Sequence, residues 1–320
     1  MEKRNDDLIK KYRVSENLPE DLNVTEAMIW HHWNLERELT RLLMESTPET
    51  RWEVFEQAYT RFYSELTWLS LHTGDADLRE PSGRYRDWAA MIGQPPGRIY
   101  EVGSGSAKML SYLAGSGFEC KATDITRERR EKTGDGVPEK LSWGNSDGVN
   151  LDLFEPSNFY DVVVSDQVLE HLHPDDLERH FKSVLTILKP GGRYIFNTPH
   201  CYLGPHDVSQ VFECDEPHGM HLKEYTFREM VAAAEQAGFT DLCYVVPVRL
   251  RNLAYKMGVS TIDRNEKLEK SYLKIMRTSE SFLSLIPKPK WRKYAAKLLK
   301  KFKLFKGDIF LSAKKQEHFL

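Results

Sequence analysis

The chain has 320 residues, of which 40% are hydrophobic and 29% charged, with 7 Trp, 14 Tyr and 15 Phe; this excludes disordered and fibrous classes and suits one large core, alone or with a satellite. No stretch approaches the roughly 20 apolar residues of a membrane-spanning helix, the start MEKRNDDLIKKYRV has no apolar leader run, and Cys120, Cys201, Cys214 and Cys243 are too widely spaced for a disulfide framework or a zinc site, which points to a reducing cytoplasm. The net charge of −3 divides unevenly: from Arg249 to Leu320 there are 19 Lys and Arg against 6 Asp and Glu, a region of +13 on a body of −16, which suggests an anionic partner for the C-terminal part.

Residues 1–97 read as helical. The pattern predicts one helix from Thr25 to about Glu45 and another that starts at Thr47-Pro48, with threonine as N-cap and proline in the first turn. In the second, Trp52, Phe55, Ala58, Phe62 and Leu66 fall at helical spacing. Such a stripe is either core packing or a lid over a substrate. The segment HTGDADLREPSGRYR reads as a linker. From Gly97 on, short apolar runs alternate with helical stretches. RIYEV (98–102), ECKAT (119–123), DVVVS (161–165), RYIFN (193–197), LCYVVPV (242–248) and DIFLSA (308–313) are strand-like. AKMLSYLAG, PDDLERHFKSVLTILK and TFREMVAAAEQAG are helical, the last opening on a capping box from Thr226 to Glu229. This alternation predicts an α/β fold, a parallel sheet with helices on both faces.

RIYEV runs directly into Gly103-Ser104-Gly105-Ser106-Ala107 and a helix, a turn that lets a ligand approach the backbone and the helix N-terminus. A nicotinamide fingerprint would require glycine at position 108, where the chain has Lys108. The motif is instead acid-x-Gly-x-Gly, with Glu101 at the strand end. Asp124 closes the second strand, where a carboxylate can accept hydrogen bonds from both ribose hydroxyls. DVVVSDQVLEHL and LKPGGRYIFNTPH follow in order. Together these segments resemble the class I S-adenosylmethionine-dependent methyltransferases, above all the broad bacterial group that includes the ubiquinone-pathway O-methyltransferases. The resemblance covers residues 95–248 and the strand at 308–313; Ala107 departs from it, standing where many members have a third glycine.

The resemblance implies a Rossmann-like, mostly parallel seven-stranded sheet with S-adenosyl-L-methionine as cofactor. It divides the chain into a helical cap (1–94), a cofactor-binding core (95–248 plus 307–316) and a basic helical insertion before the last strand (249–306). Glu101 would orient the methionine amino group, and Gly103, Ser104 and Gly105 would pass under the methionine and ribose. Asp124 would hold the ribose hydroxyls and Ile125 would pack on the adenine. Asp147, with Gly148 beside it, would meet the adenine amino group, with Asn145 as its rival; Asp166 would lie near the sulfonium.

Methyl transfer is an in-line displacement in which the protein supplies positioning, desolvation and sometimes a base. Six histidines follow the fourth and fifth strands: His171, His173, His200 and His206, then His218 and His221 in EPHGMHLKEYT. Open parallel sheets bind ligands at that edge. His206, His221 and His171 are the candidate catalytic residues, and the other three read as surface or loop-ordering residues. In some relatives E-x-x-E-H after the fourth strand binds a divalent cation. Here the matching residues are Gln167, Glu170 and His171; a neutral glutamine weakens a hard-cation site, so no metal is expected.

About sixty residues separate the last two strand-like runs. Within them PKPKWRKYAAKLLKKFKLFK (287–306) has nine basic residues and no acid, with Trp291, Ala295, Leu298, Phe302 and Phe305 on one helical face. A basic amphipathic helix either lies on an anionic membrane surface, here through 288–306, or docks on the domain with its lysines solvated. No stacking-aromatic motif of an RNA-binding module is present, which disfavours nucleic acid. The expectation is a cytoplasmic methyltransferase, peripheral at the inner membrane face if the basic helix docks there, acting on a sugar or aromatic hydroxyl of a small-molecule or lipid-linked acceptor. The rival readings are a metal-assisted RNA methyltransferase and a non-catalytic cofactor-binding partner subunit.

Overall fold

A computed structural model of the chain describes residues 2–70, 83–126, 138–246 and 266–317. Its helices are α1 (Glu2–Ser15), α2 (Glu26–Glu45), α3 (Arg51–Glu65), α4 (Thr67–Ser70), α5 (Gly83–Ile92), α6 (Lys108–Gly115), α7 (Leu177–Ile187), α8 (Phe227–Ala237), α9 (Glu266–Ser284) and α10 (Pro289–Lys301). Its strands are β1 (Arg98–Val102), β2 (Glu119–Asp124), β3 (Leu141–Asn145), β4 (Tyr160–Asp166), β5 (Leu188–Pro199), β6 (Phe239–Tyr244) and β7 (Asp308–Lys315). They form one sheet in the order β3-β2-β1-β4-β5-β7-β6, in which β7 runs antiparallel to both neighbours and the other pairings are parallel.

The two-residue period of the strands explains why the sheet is covered on both sides. Tyr100, Val163, Tyr194 and Phe196 pack with Phe181 and Val184 of α7 and Phe227 and Met230 of α8. Their immediate neighbours Ile99, Val162, Val164 and Ile195 turn to the other face and pack with Trp88 of α5 and Met109 and Leu110 of α6. Val162, Val163 and Val164 therefore read as one unbroken apolar run because each enters one of two cores.

Several local expectations shift. α3 starts at Arg51 rather than at Thr47-Pro48, because Thr47 closes a turn instead, its carbonyl accepting from the Thr50 N–H at 3.1 Å. Gly83 to Arg86 of the expected linker belong to α5, and residues 72–82 lie outside the described residues. β3 was not among the strand-like runs, since LSWGN has little apolar content. β6 begins at Phe239 because Gly238, in the left-handed region at φ 104, caps α8 and delivers the chain straight into the sheet; residues 247 and 248 of that run are outside the described residues. Phe305 lies past the end of α10 and is fully buried, so it does not share the exposed face of that helix. The capping box of Thr226 and Glu229 is formed as expected.

The N-terminal helices lie over the loop at residues 207–221. Trp33 and Ile29 of α2 pack with Val208 and Val211, while Leu39 of α2 and Phe55 of α3 pack with Met220. Arg51 of α3 is tied to Asp176 by a part-buried ion pair at 2.5 Å. The aromatic stripe of α3 thus packs as a core does and also reaches a cavity described below. At the other end of the chain, Glu280 of α9 accepts the Phe227 and Arg228 N–H groups at the start of α8 and bonds His200 Nε2 at 2.8 Å. This satisfies open N–H groups of α8 and fixes α9 on the core. Among the described residues no helix is long and apolar enough to cross a membrane.

Candidate active site

The C-terminal ends of β1, β2 and β4 open into one cavity of about 400 Å³. Its sheet-side wall contains Gly103, Asp124, Ile125, Ser146, Asp147, Gly148 and Asp166. Gly103 is left-handed at φ +64, and a Cβ there would stand 2.6 Å from Val168 Cγ2, so only glycine fits the turn. Ala107 keeps a left-handed backbone too, at φ 48, the conformation a third glycine would take without strain. The Asp124 carboxylate accepts from Gly105 N–H at 3.1 Å and Thr126 N–H at 3.3 Å. Those bonds lock the β1–α6 turn to the end of β2 and set the carboxylate at the cavity wall.

The other expected cofactor residues divide. Asp166 is held by Asn197 Nδ2 at 3.0 Å. Asp147 reaches the cavity, but its own loop already uses it: Oδ1 accepts from the Val149 and Asn150 N–H groups, each at 2.8 Å, and Oδ2 from Asn150 Nδ2 at 2.7 Å. Asn145, the rival, ends β3 and is not part of the wall. Glu101, Ser104 and Gly105 are not part of it either. Glu101 is buried, and Ser104 gives its N–H to the Thr123 carbonyl at 2.8 Å and its hydroxyl at 3.2 Å. In the structure Ser104 and Gly105 build the turn from behind.

The opposite wall combines rings and ionisable groups. Phe55, Tyr59, Phe62 and Tyr63 come from α3, Glu16 and Glu36 from the cap, and His171, His206, Asp207 and His221 from the loops after β4 and β5. The three histidines proposed from the sequence therefore meet in one place. What joins two of them is Glu224, which the sequence reading passed over. Its Oε1 accepts from the His206 backbone N–H at 2.6 Å and from His221 Nδ1 at 2.9 Å, and its Oε2 from His206 Nδ1 at 3.1 Å. Gly204 permits this approach, since a Cβ there would collide with the Glu224 carboxylate. His171 donates Nδ1–H to the Met220 carbonyl at 2.8 Å and meets the His221 ring edge-on at 4.8 Å.

Electrostatics separate the roles these groups can play. Burial works against the Glu224 carboxylate, but its bonds to His206 and His221 prevail and hold its pKa at about 2. Burial likewise works against a charged His221, yet the Glu224 bond and the Glu170 and Asp207 charges push it up to about 9. His221 therefore keeps its proton near neutrality and is a poor base. In the tautomer that gives Nδ1–H to Glu224, His206 leaves its Nε2 lone pair open.

Glu36 and Asp207, also missed from the sequence, pin this wall. Glu36 accepts from the Met220 N–H at 3.1 Å and pairs with His32 Nε2 at 2.8 Å; Asp207 accepts from the Ser209 and Gly219 N–H groups at 3.0 and 2.8 Å. The remaining histidines order loops: His173 accepts from the Asp175 N–H, His218 gives its N–H to Ser209 Oγ, and His200 is buried on Glu280 rather than lying at the surface.

Glu170, His171 and His221 place ligand-capable atoms within 4.8 Å of one another, a juxtaposition wider than the Gln167-x-x-Glu170-His171 run alone suggested. Thr198 donates to Glu170 Oε2 at 2.9 Å, while the buried Oε1 has no partner. A divalent ion here would have to displace the proton that Glu224 and Glu170 hold on His221. Burial raises the Glu170 carboxyl to about 7 from an ordinary 4.5. A raised carboxyl contributes stability that is complete below 4.5 and is lost as pH climbs through 7, an effect on the order of 3 kcal/mol for such a shift. The stability of the wild type against denaturant is thus expected to fall between pH 5 and 8, and Glu170→Gln to flatten that slope. Parallel pH profiles for the two proteins would refute it.

A profile of the methyltransferase-domain family matches residues 77–244, just over half of the chain, and the chain belongs to that family: it is a class I S-adenosylmethionine-dependent methyltransferase. Nothing in the match singles out the ubiquinone-pathway branch. No curated protein matches the chain. Among solved structures it is similar to the [4+2]-cyclase SpnF, with 16% identity, a TM-score of 0.49, and 82% of this chain and 97% of that one covered. It is also similar to a SAM-dependent methyltransferase from Archaeoglobus fulgidus (17% identity, TM-score 0.46, 72% and 91% covered). A third is the 1,6-didemethyltoxoflavin-N1-methyltransferase of Burkholderia thailandensis (16% identity, TM-score 0.46, 61% and 80% covered).

Proposed function

We propose that this methyltransferase O-methylates a hydroxyl of a small-molecule or lipid-linked acceptor, a sugar in preference to an aromatic ring, with His206 as general base. The supporting observation is that one cavity joins the Gly103–Asp124–Ile125 wall to a wall of aromatic rings, carboxylates and the His206–Glu224 pair. The sheet-side wall fits the cofactor: a turn closed to any Cβ, a pre-oriented carboxylate for a vicinal diol, and an apolar side chain beside it for a flat base. Bound S-adenosylmethionine supplies an electrophilic methyl group on sulfur with a neutral thioether as leaving group.

The chain's own residues do the rest. Phe55, Tyr59 and Phe62 exclude water and offer ring faces to the apolar side of an acceptor. Glu16, Glu36 and Asp207 keep lone pairs for hydroxyl donors, which a polyol has in number and a simple phenol does not. His206 Nε2 takes the hydroxyl proton as the oxygen attacks, and Glu224 holds the opposite ring N–H and balances the imidazolium that forms. Electrostatic positioning of this kind is the protein's main contribution to a displacement.

The test is transfer of radiolabelled methyl from S-adenosylmethionine by the full chain into an extract of the source cell, with and without prior nuclease and protease treatment. Acid hydrolysis of the labelled fraction is expected to release an O-methyl sugar. Label confined to nuclease-sensitive material would reassign the acceptor to RNA, and cofactor binding without incorporation would make the chain a non-catalytic subunit.

A further inference from the structure

α10 and the turn before it leave large apolar side chains in solvent. Trp291 is 63% exposed, Tyr294 67%, Leu298 47% and Phe302 67%. Steps of three and four residues put these four on one face. The helix is nevertheless seated: Ala296 is fully buried and Ala295 and Leu299 pack on the main core. The exposed stripe is therefore a second apolar face, not a poorly docked first one. Phe282 and Leu285, at the end of α9 and just after it, are also exposed, at 67% and 77%. Single exposed apolar residues are ordinary, but a contiguous run of this kind marks an interaction surface.

Charge decides what covers it. Lys290, Lys297 and Lys301 run alongside the stripe at steps of seven and four, all exposed, and residues 287–306 contain no acid. The rest of the molecule is strongly acidic, so an anionic plane would repel the body and attract this face, which fixes an orientation. A narrow aromatic stripe flanked by lysines is the arrangement of helices that lie in a bilayer interface. We propose that this face of α10 docks on an anionic lipid bilayer. The proposal is read from binding alone and stands or falls separately from the identity of the methyl acceptor.

Full-length protein is co-sedimented with vesicles of phosphatidylcholine alone and of phosphatidylcholine mixed with phosphatidylglycerol, at low and high salt. Partition into the anionic vesicles that weakens with salt is expected. K290Q/K297Q/K301Q should lower the partition constant about 100-fold, on the footing of about 1 kcal/mol per lysine. W291S/F302S should lower it at least about tenfold; all five positions are exposed, so unchanged melting temperatures should confirm that both variants fold. Wild type that stays in the supernatant with both vesicle types, or variants that pellet like wild type, would overturn the proposal. Salt-sensitive retention on single-stranded RNA without vesicle binding would overturn it in favour of a nucleic-acid surface.

Discussion

Asp124→Ala is expected to weaken binding of S-adenosylmethionine and of its demethylated product by about 100-fold or more. A carboxylate that receives two hydroxyl donors makes charge-assisted hydrogen bonds worth about 1.5–3 kcal/mol each, and the loss of about 3 kcal/mol is two decades in affinity. In the structure Asp124 accepts from Gly105 and Thr126. Alanine frees the glycine turn as well as removing the ligand contact. Asp124→Asn divides the two effects: the amide oxygen still accepts a backbone N–H, while the charge is gone, so a loss of roughly tenfold is expected from the weaker neutral bonds. Calorimetric titration with S-adenosylhomocysteine reads the affinity, and melting of the cofactor-free proteins reads the turn. Unchanged affinity in Asp124→Ala would remove this residue from the cofactor site.

What could be read before the structure is what local sequence encodes. The alternation that sends Val163 to one core and Val162 and Val164 to the other is a period of two, visible in five residues. Asp124 was legible because it ends a strand adjacent to the one that carries the glycine turn, and parallel pairing of Glu101 with Ala122 and Val102 with Thr123 brings the two ends together. The acceptor wall has no such encoding. Met220 meets Glu36 across 184 residues and His171 across 49, and only the folding of the cap onto the post-β5 loop creates those contacts. Glu224 stands three residues after His221, but nothing in that local spacing shows that both histidines turn onto its carboxylate. Asp147 reaches the cavity wall, and the sequence did not show that its loop holds it as well. An acid in the expected place can be claimed by its own loop, since aspartate competes for nearby N–H groups wherever the chain turns. Thr47-Pro48 failed for a related reason: its capping chemistry was spent on a turn before the helix began.

Glu224→Gln is expected to cut the rate of methyl transfer by about 100- to 1000-fold while changing cofactor affinity by less than about threefold. The buried carboxylate takes three donors, two of them from His206 and one from His221. Glutamine keeps the shape but offers one oxygen and an NH₂ group, which must face at least one of those N–H donors. The conflict is relieved by flipping the His206 tautomer, which places a proton on the nitrogen that has to accept one, or by stripping the proton that Glu224 holds on His221. Either way the loss falls on turnover, because Glu224 acts as a positioning residue and touches no part of the cofactor wall. A purely structural role would also slow the enzyme, so the decisive readout is the combination with His206→Ala. Groups that work as one unit give non-additive losses. The double variant is therefore expected to be no slower than the slower single variant, measured as label incorporation at saturating cofactor. Losses that multiply would mean that Glu224 supports the loop and not the base, and a Glu224→Gln protein within threefold of wild type would take the His206–Glu224 pair out of the reaction.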